Sequence, residues 1–270
     1  MSIQIQTVST DAWSMNYFRF GRGTKTLIVL PGLSVQSVMQ SAAAIAHAYQ
    51  IFTADYTVYV FDRRCELPNS YPINDMATDT YQAMRKLGLQ QVSLFGASQG
   101  GMIALSIAAK HPAFVEKLIV GSSSPSCSAS QYQLVESWVQ LAQKRKVEKL
   151  LLSFGAAVYP PELFQKLRPI LLETAKTVTD EDLRRFSILA EGIRAFDLTK
   201  ELHQIRCPVL AISARDDGVF GPDAAVHMEQ SFAEYPLFSS FVYDGYGHAA
   251  YDTAPDYRAR MLRFLMEPSL

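Results

Sequence analysis

The hexapeptide Gly96-Ala97-Ser98-Gln99-Gly100-Gly101 is the stretch that decides the fold of this chain. It directly follows the apolar run 92–95 and directly precedes the apolar run 102–105. A strand, a tight turn that carries Ser98 and a helix therefore follow one another without a spacer, which is the context a Gly-x-Ser-x-Gly pattern requires. Glycines on both sides of Ser98 lack the Cβ atoms that would collide where strand and helix converge. The pattern predicts a strained backbone at Ser98, with its hydroxyl pointing outward and helix N–H groups behind it.

Composition limits the function classes that remain. The chain has 270 residues, of which 49% are hydrophobic and 19% charged, so it can form one large α/β domain with an insertion, or two domains. A net charge of −1 gives no electrostatic reason to expect a nucleic acid or an acidic membrane as partner. Cys65, Cys127 and Cys207 are too few and too far apart for a disulfide framework or a zinc site, which favours buried free thiols.

The first residues have neither the basic start nor the long apolar stretch of a signal peptide, and no apolar run is long enough to span a bilayer. We expect a cytoplasmic protein that acts on a small-molecule substrate and needs neither a cofactor nor a metal. Monomer and homodimer both stay open.

Apolar runs bounded by turn residues alternate with helical patterns along most of the chain. This alternation predicts a mostly parallel, twisted sheet flanked by helices on both sides, preceded by two antiparallel strands near the N-terminus. The predicted strands are 3–8, 15–20, 27–30, 58–61, 92–95, 118–120, 209–212 and 238–243, and the predicted helices are 35–48, 73–87, 99–110, 222–232 and 253–266.

Between the sixth predicted strand and the seventh, the pattern changes to helices only, including 131–152 and 180–194. We call residues 122–203 the inserted segment. Ligands bind at the carboxyl edge of open α/β sheets, and an insertion at this point in the chain would lie over that edge. The sequence therefore predicts a helical cap at 122–203 on a core made of 1–121 and 204–270.

A serine hydroxyl needs a base that removes its proton, usually a histidine held by a carboxylate. His248 lies in a glycine-flanked loop between the last predicted strand and the last helix, after Ser98 in the chain. The other four histidines, His47, His111, His203 and His227, lie in or at the ends of predicted helices, where packing or surface roles are expected. A loop histidine that serves only the turn is the alternative for His248, but its placement fits a catalytic base.

The carboxylate is expected after the seventh predicted strand, where Asp216 and Asp217 are adjacent. Asp216 is nearer the strand end, so we predict that it is the partner of His248. Asp217 precedes Gly218, and a turn-forming role through backbone amides is expected for it.

A developing oxyanion needs two hydrogen-bond donors. The backbone N–H of Gln99 and that of Leu33, in the loop after the first buried strand, are the candidates. Ser34 could add a hydroxyl, although capping the following helix is the simpler role. The remaining substrate-binding candidates are aromatic residues, for most of which core packing is the competing interpretation: Trp138, Phe154, Tyr159, Phe164 and Tyr246.

These motifs together resemble the α/β-hydrolase fold family over nearly the whole chain. The segment 96–101 is similar to the family's nucleophile elbow, 30–33 to its oxyanion loop with proline in place of the usual histidine, 213–217 to its acid turn and 247–248 to its histidine loop. The chain departs from the family at 62–66, Asp-Arg-Arg-Cys-Glu, where members often have Asp-x-Arg-Gly-x-Gly. The missing glycines predict a different loop conformation near the pocket.

The resemblance implies an acyl-enzyme mechanism with Ser98 as nucleophile, His248 as base and Asp216 as acid. The leading hypothesis is a carboxylesterase-type hydrolase for a small-to-medium, fairly apolar acyl substrate. Carbon–carbon bond hydrolysis and thioesterase, lyase or perhydrolase activity on the same triad remain alternatives. A ligand receptor or interaction protein with this fold and little turnover is an alternative of another class.

Overall fold

The computed structural model describes residues 3–268. Eight strands form one sheet in the order β1-β2-β4-β3-β5-β6-β7-β8, in which β2 runs antiparallel to both β1 and β4 and the remaining pairs are parallel. The strands are β1 Gln6–Ser9, β2 Ser14–Phe20, β3 Lys25–Leu30, β4 Tyr56–Arg64, β5 Val92–Ala97, β6 Val115–Gly121, β7 Val209–Ala214 and β8 Phe238–Tyr243. The predicted mostly parallel sheet, with its antiparallel N-terminal pair, is confirmed.

Ten α-helices accompany the sheet in the described part of the chain, together with four short 3-10 turns. They are α1 Ala42–Ala48, α2 Ile73–Lys86, α3 Gln99–Lys110, α4 Ala129–Gln143, α5 Val147–Val158, α6 Pro161–Ala175, α7 Asp180–Glu191, α8 Ala224–Ser231, α9 Ala250–Thr253 and α10 Tyr257–Met266. None of the helices in residues 3–268 is both long enough and apolar enough to cross a membrane.

The strand side chains alternate between two hydrophobic layers, as expected for a sheet buried on both faces. Ile28 and Leu30 point into one layer with residues of α2, α3 and α8. Leu27 and Val29 point into the other layer with residues of α1 and α10. Parallel strands need crossover connections, so helices cover both faces and the carboxyl ends of the strands meet at one edge.

Only helices and turns, apart from one isolated bridge between Ser126 and Asp197, lie between β6 and β7. The predicted single helix 131–152 is two helices, because the chain breaks at 144–146, where Arg145 has a φ of 53°. Thr179 and Asp182 form a capping box at the start of α7. The buried side chains of α4, α5 and α7 join the layer formed with α2 and α3.

Two further predictions differ from the structure in detail. The helix predicted at 35–48 begins as a 3-10 turn at Val38–Ser41 and continues as α1. Its cap is Ser37, whose hydroxyl accepts a hydrogen bond from the N–H of Met39, so the prediction of Ser34 as the cap is wrong. The helix predicted at 253–266 is split into α9 and α10 at Pro255, since proline cannot continue the hydrogen-bond ladder.

Candidate active site

Ser98 lies at the junction of β5 and α3 in a backbone conformation that ordinary residues avoid. Its φ is 52° and its ψ is −120°. The backbone holds it there: its N–H donates to Gly121 O at 2.8 Å, and its carbonyl accepts from the Ser123 hydroxyl at 2.7 Å. Strain of this kind persists only where surrounding contacts enforce it, and it is concentrated at functional sites.

The glycines beside Ser98 are required by close backbone contacts. A Cβ built on Gly96 would lie 2.2 Å from Gly100 O, and one built on Gly100 would lie 1.9 Å from Leu30 O. Both distances are far inside van der Waals contact, so α3 can approach β3 and β5 only because these residues have no side chain. This confirms the steric reason for the glycines that the sequence suggested.

His248 is buried (2% exposed) and bonded to Asp217, which is also buried (4% exposed). The imidazole Nδ1 lies 3.0 Å from Asp217 Oδ1 and 2.9 Å from Oδ2. Because an ionised carboxylate can only accept hydrogen bonds, Nδ1 must carry the proton and Nε2 is left to act as the base. The backbone N–H groups of Val219 and Phe220 also donate to Asp217 Oδ1.

These contacts determine the protonation of Asp217. Burial raises its pKa, but the charge and hydrogen bond of His248 and the N–H donors of Phe220 and Val219 outweigh burial and leave the pKa below its ordinary value. Asp217 is therefore ionised at neutral pH. It can both fix the orientation of the imidazole and stabilise an imidazolium.

The prediction that Asp216 is the partner of His248 is wrong. Asp216 is exposed, and its carboxylate accepts hydrogen bonds from the N–H groups of Gly245 and Gly247 at 3.1 and 3.0 Å. The two carboxylates thus have the opposite roles to those expected. Asp216 holds the loop that carries His248, whereas Asp217 contacts the imidazole itself.

The predicted oxyanion donors lie beside Ser98. Gln99 is the first residue of α3 and Leu33 lines a cavity together with Ser98 and Gln99. Within the part of the chain that the structure describes, neither the Leu33 N–H nor the Gln99 N–H donates a hydrogen bond. Both are thus available to an oxyanion, and the α3 dipole adds a partial positive charge at this end.

A buried arginine connects the two segments that carry these donors. Arg63 is 4% exposed, and its guanidinium donates to Pro31 O at 2.8 Å and to Gln99 Oε1 at 3.3 Å. The Gln99 amide in turn donates to Leu189 O of α7 at 2.6 Å. Burial, the largest effect, lowers the Arg63 pKa to about 10 despite the neighbouring Asp62 carboxylate, so it stays cationic at neutral pH.

The charge of Arg63 is balanced by Asp62, which also binds the Arg185 guanidinium of α7 and the Ser37 hydroxyl. The sequence signalled this position through the missing family glycines at 62–66, but it did not indicate that Arg63 would be buried against the oxyanion loop. Arg63 is thus a residue that sequence reasoning missed.

The end of α5 packs against the loops that hold Asp217 and His248. Val158 O accepts a hydrogen bond from the Ala249 N–H at 3.0 Å. A Cβ built on Gly218 would lie 2.5 Å from Ala157 O. The inserted segment thus contacts both the acid turn and the histidine loop through its backbone.

The hydroxyl of Ser98 makes no hydrogen bond within residues 3–268, to His248 or to any other residue. Such contacts are often long in structures without a ligand and shorten in the reacting complex. His248 is nevertheless adjacent to the Ser98 cavity, since its ring centroid lies 5.5 Å from that of Phe220, which lines the cavity.

Two cavities adjoin Ser98. The first is small, with a volume of about 30 Å³, and contains Ser98 itself. The second has a volume of about 460 Å³ and runs from the oxyanion loop to α6 and α9. Leu33, Phe154 and Val158 line both cavities.

The predicted substrate-binding residues are distributed unevenly over these cavities. Trp138 and Phe154 line the first cavity, and Phe154, Tyr159 and Ser34 line the second. Ser34 is exposed and its hydroxyl donates to Gln36 O at 2.7 Å, which directs it away from the oxyanion role. Phe164 and Tyr246 line neither cavity, and Tyr246 packs on Tyr243 instead, with ring centroids 5.4 Å apart. Substrate binding by the other four stays a prediction.

Among residues 3–268, no cluster of three or more His, Cys, Asp or Glu side chains could hold a metal ion. The three cysteines are free thiols. Only Cys207 is buried, while Cys127 is half-buried and Cys65 exposed, so the expectation of buried thiols is wrong for Cys65.

Comparison with known families identifies the fold. The family model described as "alpha/beta hydrolase fold" matches residues 25–255. The chain belongs to the α/β-hydrolase fold family, and a hydrolase activity is the class that this membership supports.

Curated relatives are similar at low identity. One is the "Putative carbamate hydrolase RutD" of Rhizobium rhizogenes, 23% identical over 250 residues that cover 89% of this chain and 92% of that protein. The protein of the same name from Cronobacter turicensis is 27% identical over 229 residues, covering 78% and 79%.

Solved structures show the same fold. An α/β-hydrolase enzyme from a Medee basin deep-sea metagenome library superimposes with a TM-score of 0.87 at 19% identity, covering 98% of both chains. The enol-lactonase of Burkholderia xenovorans has a TM-score of 0.80 at 18% identity, covering 97% of this chain and all of its own. The thermophilic esterase of Thermogutta terrifontis has a TM-score of 0.77 at 16% identity, covering 98% of both chains.

Proposed function

We propose that this protein is a serine hydrolase in which Ser98 is the nucleophile, His248 the general base and Asp217 the acid that supports it. The observation that carries the proposal is the strained backbone of Ser98, with a φ of 52°, at the N-terminus of α3. A buried Asp217–His248 pair beside the same cavity supplies the base that a serine hydroxyl needs.

The chemistry follows from these positions. His248 Nε2 takes the Ser98 proton as Oγ attacks a carbonyl carbon, and the Leu33 and Gln99 N–H groups stabilise the resulting oxyanion. The imidazolium then gives its proton to the leaving group, whose bond to the carbonyl carbon breaks and leaves an acyl-enzyme. His248 next deprotonates a water molecule that attacks this ester, and its proton returns to Ser98 Oγ as the acid departs.

An ester of a small, fairly apolar acyl group is the substrate that these features favour. The walls of the first cavity are formed mainly by apolar side chains, among them Met102, Val135, Trp138 and Ile193. Trp138 and Val135 come from α4, so we propose that the inserted segment acts as a cap that closes the site and selects the acyl group.

A fluorophosphonate probe tests the nucleophile. It should label the wild-type protein and fail to label Ser98→Ala. Ser122 is the matched control, because it follows the neighbouring strand and also has a positive φ (41°), but its hydroxyl is buried. Labelling should persist in Ser122→Ala. A folded wild-type protein that is not labelled would contradict the proposal.

Carbamate hydrolysis is the second candidate, since two relatives carry that name and a carbamoyl group suits so small a first cavity. It uses the same triad. A panel of ester, carbamate, thioester and diketone substrates, run with wild type and Ser98→Ala, distinguishes the bond types. Equal ligand binding by both proteins without turnover in either would favour a receptor instead.

A further inference from the structure

Ser98 lines the first cavity, and the second cavity is lined by neighbours of Ser98 and His248, among them Gly32 and Tyr251. Gly32 lines the second cavity, and a Cβ built on it would lie 3.2 Å from Ser98 Cβ and 3.8 Å from Ser98 Oγ. Because Gly32 packs this closely on Ser98, the second cavity lies next to Ser98, although Ser98 does not line it. On the other side of the site, the His248 ring contacts Phe220 of the first cavity and lies 6.2 Å, edge-on, from the ring of Tyr251 in the second.

The two cavities differ more than tenfold in size. A water molecule needs about 10–15 Å³ by the measure in which the first cavity has about 30 Å³, so that cavity holds a group of only two or three non-hydrogen atoms. The second cavity, at about 460 Å³, accepts a much larger group and reaches the surface at the exposed residues Ser34 and Gln40.

The two cavities also differ in chemistry. The second cavity is lined by apolar side chains, among them Val60 and Phe95. It is also lined by the polar side chains of Tyr159, Tyr251 and Asp252. Asp252 Oδ1 accepts a hydrogen bond from the Arg258 guanidinium at 3.2 Å. Its second oxygen, Oδ2, accepts none within residues 3–268, and because the side chain is 55% exposed this oxygen is open to solvent and to a ligand alike.

The sequence of the two reaction steps indicates which part of the substrate occupies each cavity. The leaving group departs while the acyl group is still bonded to Ser98, so the leaving group needs the cavity that opens to solvent. The acyl group can occupy an enclosed space, because it leaves only after water has attacked.

We propose that the second cavity binds the leaving group and selects alcohols that carry a hydroxyl or ammonium group, whose N–H or O–H donates to Asp252, while the first cavity admits only acyl groups of two or three carbons. This inference rests on the proposed function. It specifies the substrate as a short-chain ester of a larger, polar-ended alcohol.

Two ester series test the two parts. With a constant nitrophenyl leaving group, kcat/KM should fall at least tenfold from acetyl to hexanoyl, and Val135→Ala, which enlarges the first cavity, should reduce that fall. With a constant acetyl group, kcat/KM for esters of 4-hydroxybutanol and 4-aminobutanol should exceed that for pentyl acetate by about two- to fivefold, the range of an interaction with an exposed charged group.

Asp252→Ala should remove the preference for polar alcohols over pentyl acetate. Asp256→Ala is the matched control, because Asp256 pairs with Arg260 at 3.0 Å in the same part of the chain but lines neither cavity. The control variant should keep the preference.

The outcomes distinguish failure of the proposed serine hydrolase function from failure of the cavity assignment. If the wild type hydrolyses no ester and no probe labels Ser98, the proposed function fails. If it hydrolyses acetyl esters but Asp252→Ala keeps the alcohol preference, or hexanoyl esters react as fast as acetyl esters, only this inference is wrong. Thermal unfolding of each variant shows whether it is folded.

Discussion

The two halves of the candidate active site are held in place by different means. We call the segments that carry Leu33 and Gln99 the oxyanion half, and Asp217 with His248 the histidine half. The oxyanion half is held by a buried side-chain network from Arg63 to α7. The histidine half is held by a backbone contact with the end of α5 and by the Asp216 carboxylate, which accepts hydrogen bonds from backbone N–H groups of the His248 loop.

This difference indicates which substitutions can separate catalysis from folding. A backbone contact survives most side-chain changes, so the histidine half should lose most function when Asp217 or His248 itself changes and less when Asp216 changes. The oxyanion half depends on a guanidinium that no substrate needs to touch. Substitution of Arg63 should therefore change oxyanion stabilisation, although this residue is remote from the bond that is cleaved.

The largest effect is expected in the histidine half. Asp217→Asn should lower kcat by about 10⁴-fold, because an amide in this place favours the wrong imidazole tautomer. Steady-state kinetics on a short-chain ester, together with a thermal unfolding curve, measures this.

Asp216→Asn is the control for that prediction. Its amide oxygen can still accept a hydrogen bond from the Gly245 or Gly247 N–H, so we expect a loss of less than about tenfold. If Asp216→Asn were the more damaging change, the acid identified from the structure would be wrong.

The second largest effect is expected in the oxyanion half. Arg63→Met removes the donors to Pro31 O and Gln99 Oε1. Loss of one direct oxyanion donor costs about 10²- to 10³-fold in kcat, so loss of a residue that positions the donors should cost about 10- to 100-fold. KM should change little.

Binding of a boronic acid, which forms a tetrahedral adduct on serine, should weaken in Arg63→Met along with kcat. Arg185→Met is the comparison, since it removes a different partner of Asp62 without a direct contact to the oxyanion loop. We expect it to lower stability more than boronate affinity. Equal losses of boronate affinity in both variants would mean that Arg63 has only a structural role.

The pH dependence of the free energy of unfolding tests the Asp217–His248 pair. The folded pKa of Asp217 lies below its ordinary value near 3.8, so the pair contributes stability above that value and loses it as pH falls through the folded pKa. The difference in urea midpoint between wild type and Asp217→Asn should therefore shrink as the pH falls below about 4. A constant difference down to pH 2.5 would contradict this interpretation.

The sequence was sufficient for the elbow, because its geometry is local. The strand, the turn and the helix lie in one short segment, and the close approach of Gly96 to Gly100 lies within it. The contacts of Ser98 with Gly121 and of Gly100 with Leu30 then hold this conformation from the neighbouring strands. The acid could not be assigned in the same way. Asp216 and Asp217 lie beyond the end of β7, where strand alternation no longer fixes direction, and the turn hydrogen bonds of Val219 and Phe220 decide which carboxylate faces His248.

Arg63 and the inserted segment show a second limit of the sequence. Arg63 is buried through contacts with Pro31 and Gln99, which are distant from it in the chain. Its neighbour Asp62 lies in a segment that departs from the family motif, so the sequence did not indicate its role. The break between α4 and α5 has no glycine or proline to mark it. Long-range packing decides both features, and local patterns carry little information about it.

The smallest effect is expected at the start of α7, the helix that contacts the oxyanion half through Leu189. The Thr179 hydroxyl accepts a hydrogen bond from the Asp182 N–H at 3.1 Å, and Thr179→Ala should lower the free energy of unfolding by about 1 kcal/mol. Ser128→Ala removes the equivalent cap of α4, a helix without a hydrogen bond to the oxyanion loop. Both variants should lose similar stability by urea unfolding. If the oxyanion half depends on α7, only Thr179→Ala should also show a measurable fall in kcat, at most a few fold, and equal kcat values in the two variants would mean that the network from Arg63 ends at Gln99.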